Sequence, residues 1–217
     1  MSSTEPQSKG NDDSAVPLTP NITQVSRPYF AAAEIKHFHS QTIAESRKIP
    51  YTQKKHQAFQ LLFEICKQLK FPLRVLATTM NYYQRYWLFN KFDEELSEDP
   101  MVIAITCLFL ALKNEDTVKK LRDIQHTAHK LRDSNEEMDQ RQLDLQRKQI
   151  MAIEFKLLQV LKFDLLNGNG MSALHLDQLV VNFANKLQLD YVHTFYAWLV
   201  AFDIILTPLP LMVPPHA

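Results

Sequence analysis

The amino-acid sequence predicts an all-α protein wrapped around one buried central helix, and three observations carry that prediction. Glycine is scarce, 3 in 217 residues. Leu, Lys, Gln and Glu are plentiful, a composition that favours helix over sheet. Residues 101–112 contain a single polar side chain, Thr106, and a helix that is apolar on every side has to be covered on every side. Residues 61–88 and 179–206 carry the same apolar pattern at an offset of 118 (61 to 179), with Leu61 matching Leu179, Leu62 Val180, Ile65 Phe183, Leu69 Leu187, Phe71 Leu189 and Leu88 Leu206. That period is far longer than the roughly 20–50 residues of a solenoid repeat. It points to a duplicated helical unit, whole in its first copy and partial in its second.

The elements follow in order. Residues 1–26 are rich in Ser, Thr, Pro, Gln and Asp and lack aromatics, so they are expected to form a disordered tail. Tyr29 and Phe30 open an N-terminal segment, 27–48, whose helix at 32–47 carries Ile35, Phe38 and Ile43. The first full unit spans 49–166. Its first helix is predicted at 53–70 with Thr52 as N-cap, because Ala58, Leu61, Leu62, Ile65, Cys66 and Leu69 recur at i, i+3, i+4 and i+7. Pro72 divides it from a second helix at 73–89, with Leu76, Met80, Tyr83 and Trp87 on one face. An acidic loop at 93–99 leads to the central helix, 100–114, where Asp99 can cap and Pro100 takes the first helical position. A fourth helix is predicted at 118–131. A long fifth, at 140–162, turns Leu143, Ile150, Ile153, Leu157 and Leu161 inward. Asn167-Gly168-Asn169-Gly170 reads as a linker. The partial second unit, 167–217, then offers one helix from about Ser172, with Leu176, Leu179, Val180, Phe183, Ala184 and Leu187 on its apolar face, and another at 191–206 ended by prolines.

Composition also removes function classes. The three glycines form no phosphate-cradling loop, so nucleotide binding by such a device is excluded. Lys plus Arg equals Asp plus Glu at 24 each, and a general nucleic-acid binder needs a basic footprint. No secretory signal and no apolar run near the ~20 residues of a membrane span are visible, so a soluble intracellular protein is expected. Cys66 and Cys107 sit on apolar helix faces and read as buried free thiols. His126 and His129 lie three apart without a third convergent ligand, short of the three or four a metal centre takes. No Ser, Cys or His shows a partner for nucleophilic catalysis. No cofactor, metal or catalytic residue is therefore expected.

At residues 107–116 the chain reads CLFLALKNED, and at 153–165 IEFKLLQVLKFDL. Both resemble the cyclin family: an apolar helix closing on Ala, Lys and acidic residues, then a Glu, two apolar turns and a Phe-Asp ending. KKLRDIQHTAHKL at 119–131 is similar to transcription-type cyclins. SRPYF, QKKH, QLKFP, YQRYWLFN and KNEDTVKKLRDI extend the resemblance from Ser26 to the last residues, toward the cyclin subunits of fungal kinases acting on the RNA polymerase II C-terminal domain. Two departures stand out. Lys54 and Lys55 occupy a region where cyclins usually carry a box-tying Arg, and Lys lacks its bidentate fork. The final VPPHA resembles the entrance to the third helix of a second five-helix cyclin box, so the chain is expected to be a fragment with an incomplete second box.

The resemblance implies a cyclin fold with one complete five-helix box. It implies a regulatory subunit, not an enzyme, that binds and activates a cyclin-dependent kinase catalytic subunit, reaching the RNA polymerase II tail through that kinase in the nucleus. It leaves room for a third subunit over the exposed stub. Lys113 and Glu154 match the charges that face the kinase, Glu115 and Asp116 the acidic pair after the lysine, and Leu158, Phe163 and Leu165 the apolar kinase-facing positions. From pattern alone the same residues read as a surface ion pair, a solvated loop and ordinary core. The alternatives are a cyclin-fold transcription scaffold binding DNA or general factors without kinase activation, a helical metal-dependent hydrolase, and a passive adaptor. The neutral charge balance disfavours the first.

Overall fold

The computed structural model describes residues 28–95, 98–117, 119–132, 139–165 and 175–214. The tail at 1–26, the linker at 167–170, the helix start at Ser172 and most of the loop at 133–139 lie outside the described residues. Every element among those described is helical. Helix α1 (Ala32–Thr42) is followed by a 3-10 turn, Glu45–Arg47, that runs directly into α2 (Lys48–Leu69). Then come α3 (Leu73–Phe89), α4 (Pro100–Asn114), α5 (Leu121–Arg132) and α6 (Gln140–Leu161). Helices α7 (Leu176–Lys186) and α8 (Tyr191–Leu206) and a last 3-10 turn, Leu209–Leu211, complete the order.

Helix α4 is the centre, for the reason its composition gives. The Asp99 Oδ1 accepts from the Met101 amide at 2.9 Å, capping the helix beside Pro100. Its residues from Met101 to Leu108, then Leu110, Ala111 and Leu112, are buried. Helices α2, α3, α5 and α6 all pack on it. The one polar side chain in this buried stretch, Thr106, has its hydroxyl satisfied by donating to Val102 O at 2.8 Å. Each aliphatic side chain that α2 and α6 contribute to this core adds about 1.5–3 kcal/mol of burial.

Three boundaries differ from the sequence expectation. Helix α2 begins at Lys48, not Gln53, because Pro50 falls in the first turn, where a missing N–H costs nothing. Thr52 is therefore no cap: its hydroxyl donates back to Lys48 O at 2.9 Å inside the helix. Helix α1 stops at Thr42, and α5 starts at Leu121. Helix α3 is also not one-faced. Tyr82 through Leu88 are all buried, Gln84 and Arg85 included, because the two ends of the described chain cover its outer side.

That outer cover is polar and specific. Arg85 donates to Asn81 Oδ1 at 3.0 Å and to Pro28 O, and its guanidinium stands over the Phe30 ring. Asn81 donates to Pro210 O at 3.2 Å, and Gln84 to Thr207 O at 3.1 Å. Between these staples Phe30, Phe38, Leu88, Leu211 and Phe89 form a small satellite core, and the Phe30 amide donates to Leu211 O at 2.9 Å. Lys55 reaches Gln84 Oε1 at 3.5 Å and stands over the Phe59 ring. The buried guanidinium of this core thus comes from α3, not from the start of α2.

The duplication shows in the backbone. Lys70 and Gln188, 118 residues apart, both end a helix in the left-handed region, at φ 56° and 53°. Phe71 N donates to Cys66 O at 2.8 Å, and at the same offset Leu189 N donates to Ala184 O at 3.0 Å. The two helical hairpins, α2–α3 and α7–α8, are built on one turn.

Candidate docking face

The end of α4 and the outer side of α6 meet at an ion pair. Lys113 stands in the last turn of α4, where a cation is favoured by the helix dipole. Its Nζ lies 2.5 Å from Glu154 Oε1 on α6. The lysine side chain is 48% exposed and the glutamate 13%, so the carboxylate is sheltered and the ammonium presented. The same Nζ sits 4.2 Å from the centre of the Phe109 ring, one turn back on α4. An ammonium has three donors, and one carboxylate does not exhaust them.

Apolar surface surrounds the pair. Leu158 is half-buried against the core, one turn beyond Glu154. After α6 the chain takes two left-handed residues in succession, Lys162 at φ 50° and Phe163 at φ 61°. Such conformations cost a non-glycine residue of order 1 kcal/mol or more each. Here they turn the Phe163 ring outward, 65% exposed. Leu165 is half-buried, and its carbonyl accepts from the Tyr82 hydroxyl at 2.8 Å, which fixes the segment against α3.

The acidic pair after the lysine divides. Glu115 turns inward: it accepts from the Thr78 hydroxyl at 2.7 Å and lies 3.6 Å from Arg74 Nε and 3.4 Å from His175 Nε2. It ties the end of α4 to α3 and to the residue before α7. Asp116 is exposed in a left-handed turn at φ 50°. Lys113, Asp116 and Phe163 are thus the exposed part of the expected set, while Glu154, Leu158 and Leu165 are partly buried and Glu115 turns inward.

Sequence reasoning passed over Phe109, Met151 and Phe155. Met151 and Phe155 are more than half exposed, and with Leu158 they form a second apolar stripe roughly 100° around α6 from its core stripe. The signal was present: 151, 155 and 158 follow the i, i+4, i+7 rule as clearly as the inward set. Elsewhere, no three His, Cys, Asp or Glu side chains among the described residues converge to hold a metal ion. His126 accepts from Arg122 Nε at 3.2 Å. Burial pushes the Cys66 thiol up to about 12, and Cys107 is shifted in the same direction. None of the described helices is long and apolar enough to cross a membrane.

A helical body whose buried central helix delivers a lysine to an apolar, partly exposed flank has the character of a protein-binding module. The family model for the cyclin N-terminal domain matches residues 27–166, and the chain belongs to the cyclin family. It is 33% identical over 192 residues to the CTD kinase subunit beta of Saccharomyces cerevisiae, covering 88% of this chain and 57% of that protein. It is 29% identical to the CTD kinase subunit beta of Schizosaccharomyces pombe, covering 89% and 55%. A chain in the crystal structure of the yeast RNA Pol II CTD kinase CTDK-1 complex superposes with a TM-score of 0.78 at 32% identity, over 88% of this chain and 59% of that one. The chain therefore spans less than three fifths of the length of these relatives.

Proposed function

We propose that this chain is the cyclin subunit of a kinase that phosphorylates the RNA polymerase II C-terminal domain, acting in the nucleus as a regulator and not as a catalyst. The observation that carries the reading is the Lys113–Glu154 pair set against Phe109, Leu158 and Phe163. The similarity to CTD kinase beta subunits supports the choice of kinase.

The mechanism is conformational bias. A kinase of this class is active only when its regulatory helix brings a glutamate to the catalytic lysine and completes the metal site. Moving such an equilibrium from 1:99 to 99:1 takes about 5.5 kcal/mol of differential binding. Burying Phe163 and Phe155 contributes about 1.5–3 kcal/mol each. A desolvated charge pair adds register through directional hydrogen bonds. Glu115 serves this face indirectly, by fixing the turn after Lys113 to α3 and His175. Leu165 serves it through the Tyr82 anchor.

The test is phosphate transfer to a C-terminal-domain repeat peptide by the catalytic subunit of the yeast CTD kinase, with the full chain added as wild type, Lys113→Ala or Glu154→Ala. Activation by wild type, reduced about tenfold or more by either substitution, is the expected result. Glu45→Ala, which removes only an exposed pair with Lys48, should activate like wild type. Equal activation by all four proteins would remove the docking face from the account.

A further inference from the structure

A cleft of about 370 Å³ lies between α5 and α6 beside the docking face. Its floor is apolar: Phe109, Leu121, Leu143 and Met151. Its rim is basic: Lys119, Lys120, Arg122 and Arg147 line it, against the single carboxylate of Asp144. Two of these cations have local company, Lys119 at 3.8 Å from Asp123 and Arg122 beside His126. Lys120 and Arg147 form no ion pair among the described residues. The wall is pre-formed. Gln125, buried at 3% exposure, donates to Leu143 O at 3.3 Å and to Gln146 Oε1 at 2.9 Å, pinning α5 to α6.

The cleft and the docking face share residues. Phe109 floors the cleft and carries the Lys113 ammonium over its ring. Met151 also lines the cleft and stands one turn before Glu154 on α6. From Asp144 to Glu154 the helix rises about 15 Å, a length that about five extended residues cover.

We propose that this cleft is the second half of the kinase-binding surface and takes an acidic segment of the kinase catalytic subunit, with one apolar side chain seated between Phe109 and Met151. The proposal rests on the docking reading above. Charge selects the occupant. Four cations facing one carboxylate favour an anionic chain, and the apolar floor favours one that brings an aliphatic or aromatic anchor. Continuity selects the source, because a kinase resting on Lys113 and Glu154 already stands at the cleft's mouth. The basic rim should act mainly on association rate and salt dependence, the apolar floor on lifetime.

The experiment measures the affinity of the full chain for the catalytic subunit of the yeast CTD kinase at low and at high salt. Four proteins are compared: wild type, Lys120→Glu with Arg147→Glu, Lys120→Gln with Arg147→Gln, and Lys113→Ala. Both cations are exposed, so the fold should survive, and an unchanged melting curve checks it. The proposal expects charge reversal to weaken binding about tenfold or more at low salt, with neutralisation giving a smaller loss and both flattening the salt dependence. Wild-type affinity in the reversed protein, together with a loss in Lys113→Ala, would overturn the cleft and leave the docking reading standing. Wild-type affinity in both would remove both. A defect confined to peptide-substrate binding by the assembled complex would assign the cleft to substrate and overturn the kinase as its occupant.

Discussion

Two helical hairpins of this molecule, α2–α3 and α7–α8, share a turn and an apolar pattern and differ in what lies on top of them. Ile65 in the first is fully covered, while its counterpart Phe183 is 54% exposed. Leu69 packs against the core, and its counterpart Leu187 is 69% exposed. Local sequence sets the turn: a left-handed residue closes the first helix of each pair, and the next amide bonds back across it. Burial is set elsewhere. Helix α4 fills the cup of the first hairpin, and nothing among the described residues plays that part for the second. An apolar periodicity therefore specifies a helix and the face that seeks cover, but not whether cover arrives.

The second hairpin is held to the first by a few contacts. Phe63 meets Phe202 edge-on, and Ile205 reaches the main core. Gln84 and Asn81 bond the backbone at Thr207 and Pro210. The largest test of the contrast is a matched pair of substitutions. Ile65→Ala should cost about 2–5 kcal/mol in denaturant unfolding, whereas Phe183→Ala should stay within about 0.5 kcal/mol. Similar costs at both sites would mean that Phe183 is covered in solution. Next in size is Arg85→Met. It strips partners from Pro28 O and Asn81 and should cost about 1.5–3 kcal/mol, with faster amide exchange at Phe30, whose bond to Leu211 depends on the same clasp. An unchanged Phe30 amide would show that the satellite core holds the chain ends without the arginine.

The smallest expected effect is in pH. Burial lowers the pKa of His39, and the charge of Lys55 adds to the shift. The unfolded chain takes up its proton near pH 6.5 and the folded chain only below that. Stability should therefore fall as pH drops below about 6.5, until the folded value is passed. His39→Phe should flatten that part of the unfolding midpoint profile. A profile identical to wild type would place the acid sensitivity elsewhere.

How much could be read from the sequence depended on whether the cause was local. The bounds of α4 follow from Asp99-Pro100 and its wholly apolar run, and the core face of α6 from five residues in helical register. The start of α2 was missed because Pro50 looks like a breaker until its place in the first turn is known. Asn81, Gln84 and Arg85 could not be read as buried staples, since the backbone carbonyls they hold lie 57 to 129 residues away. At the candidate docking face the resemblance pointed to Lys113 and Glu154, and the structure brings the two within 2.5 Å of each other. The inward turn of Glu115 was not, because it depends on Thr78, Arg74 and His175 from other elements. The outward turn of Phe163 depends on two left-handed residues that no glycine announces.

The most direct test of the central claim, that the fully cored first box carries the kinase contact, is hydrogen–deuterium exchange of the full chain with and without the catalytic subunit of the yeast CTD kinase. The account predicts new protection at residues 109–116 and 151–163 and little change along α7 and α8. Protection centred on α7 and α8, with the ends of α4 and α6 unchanged, would contradict it.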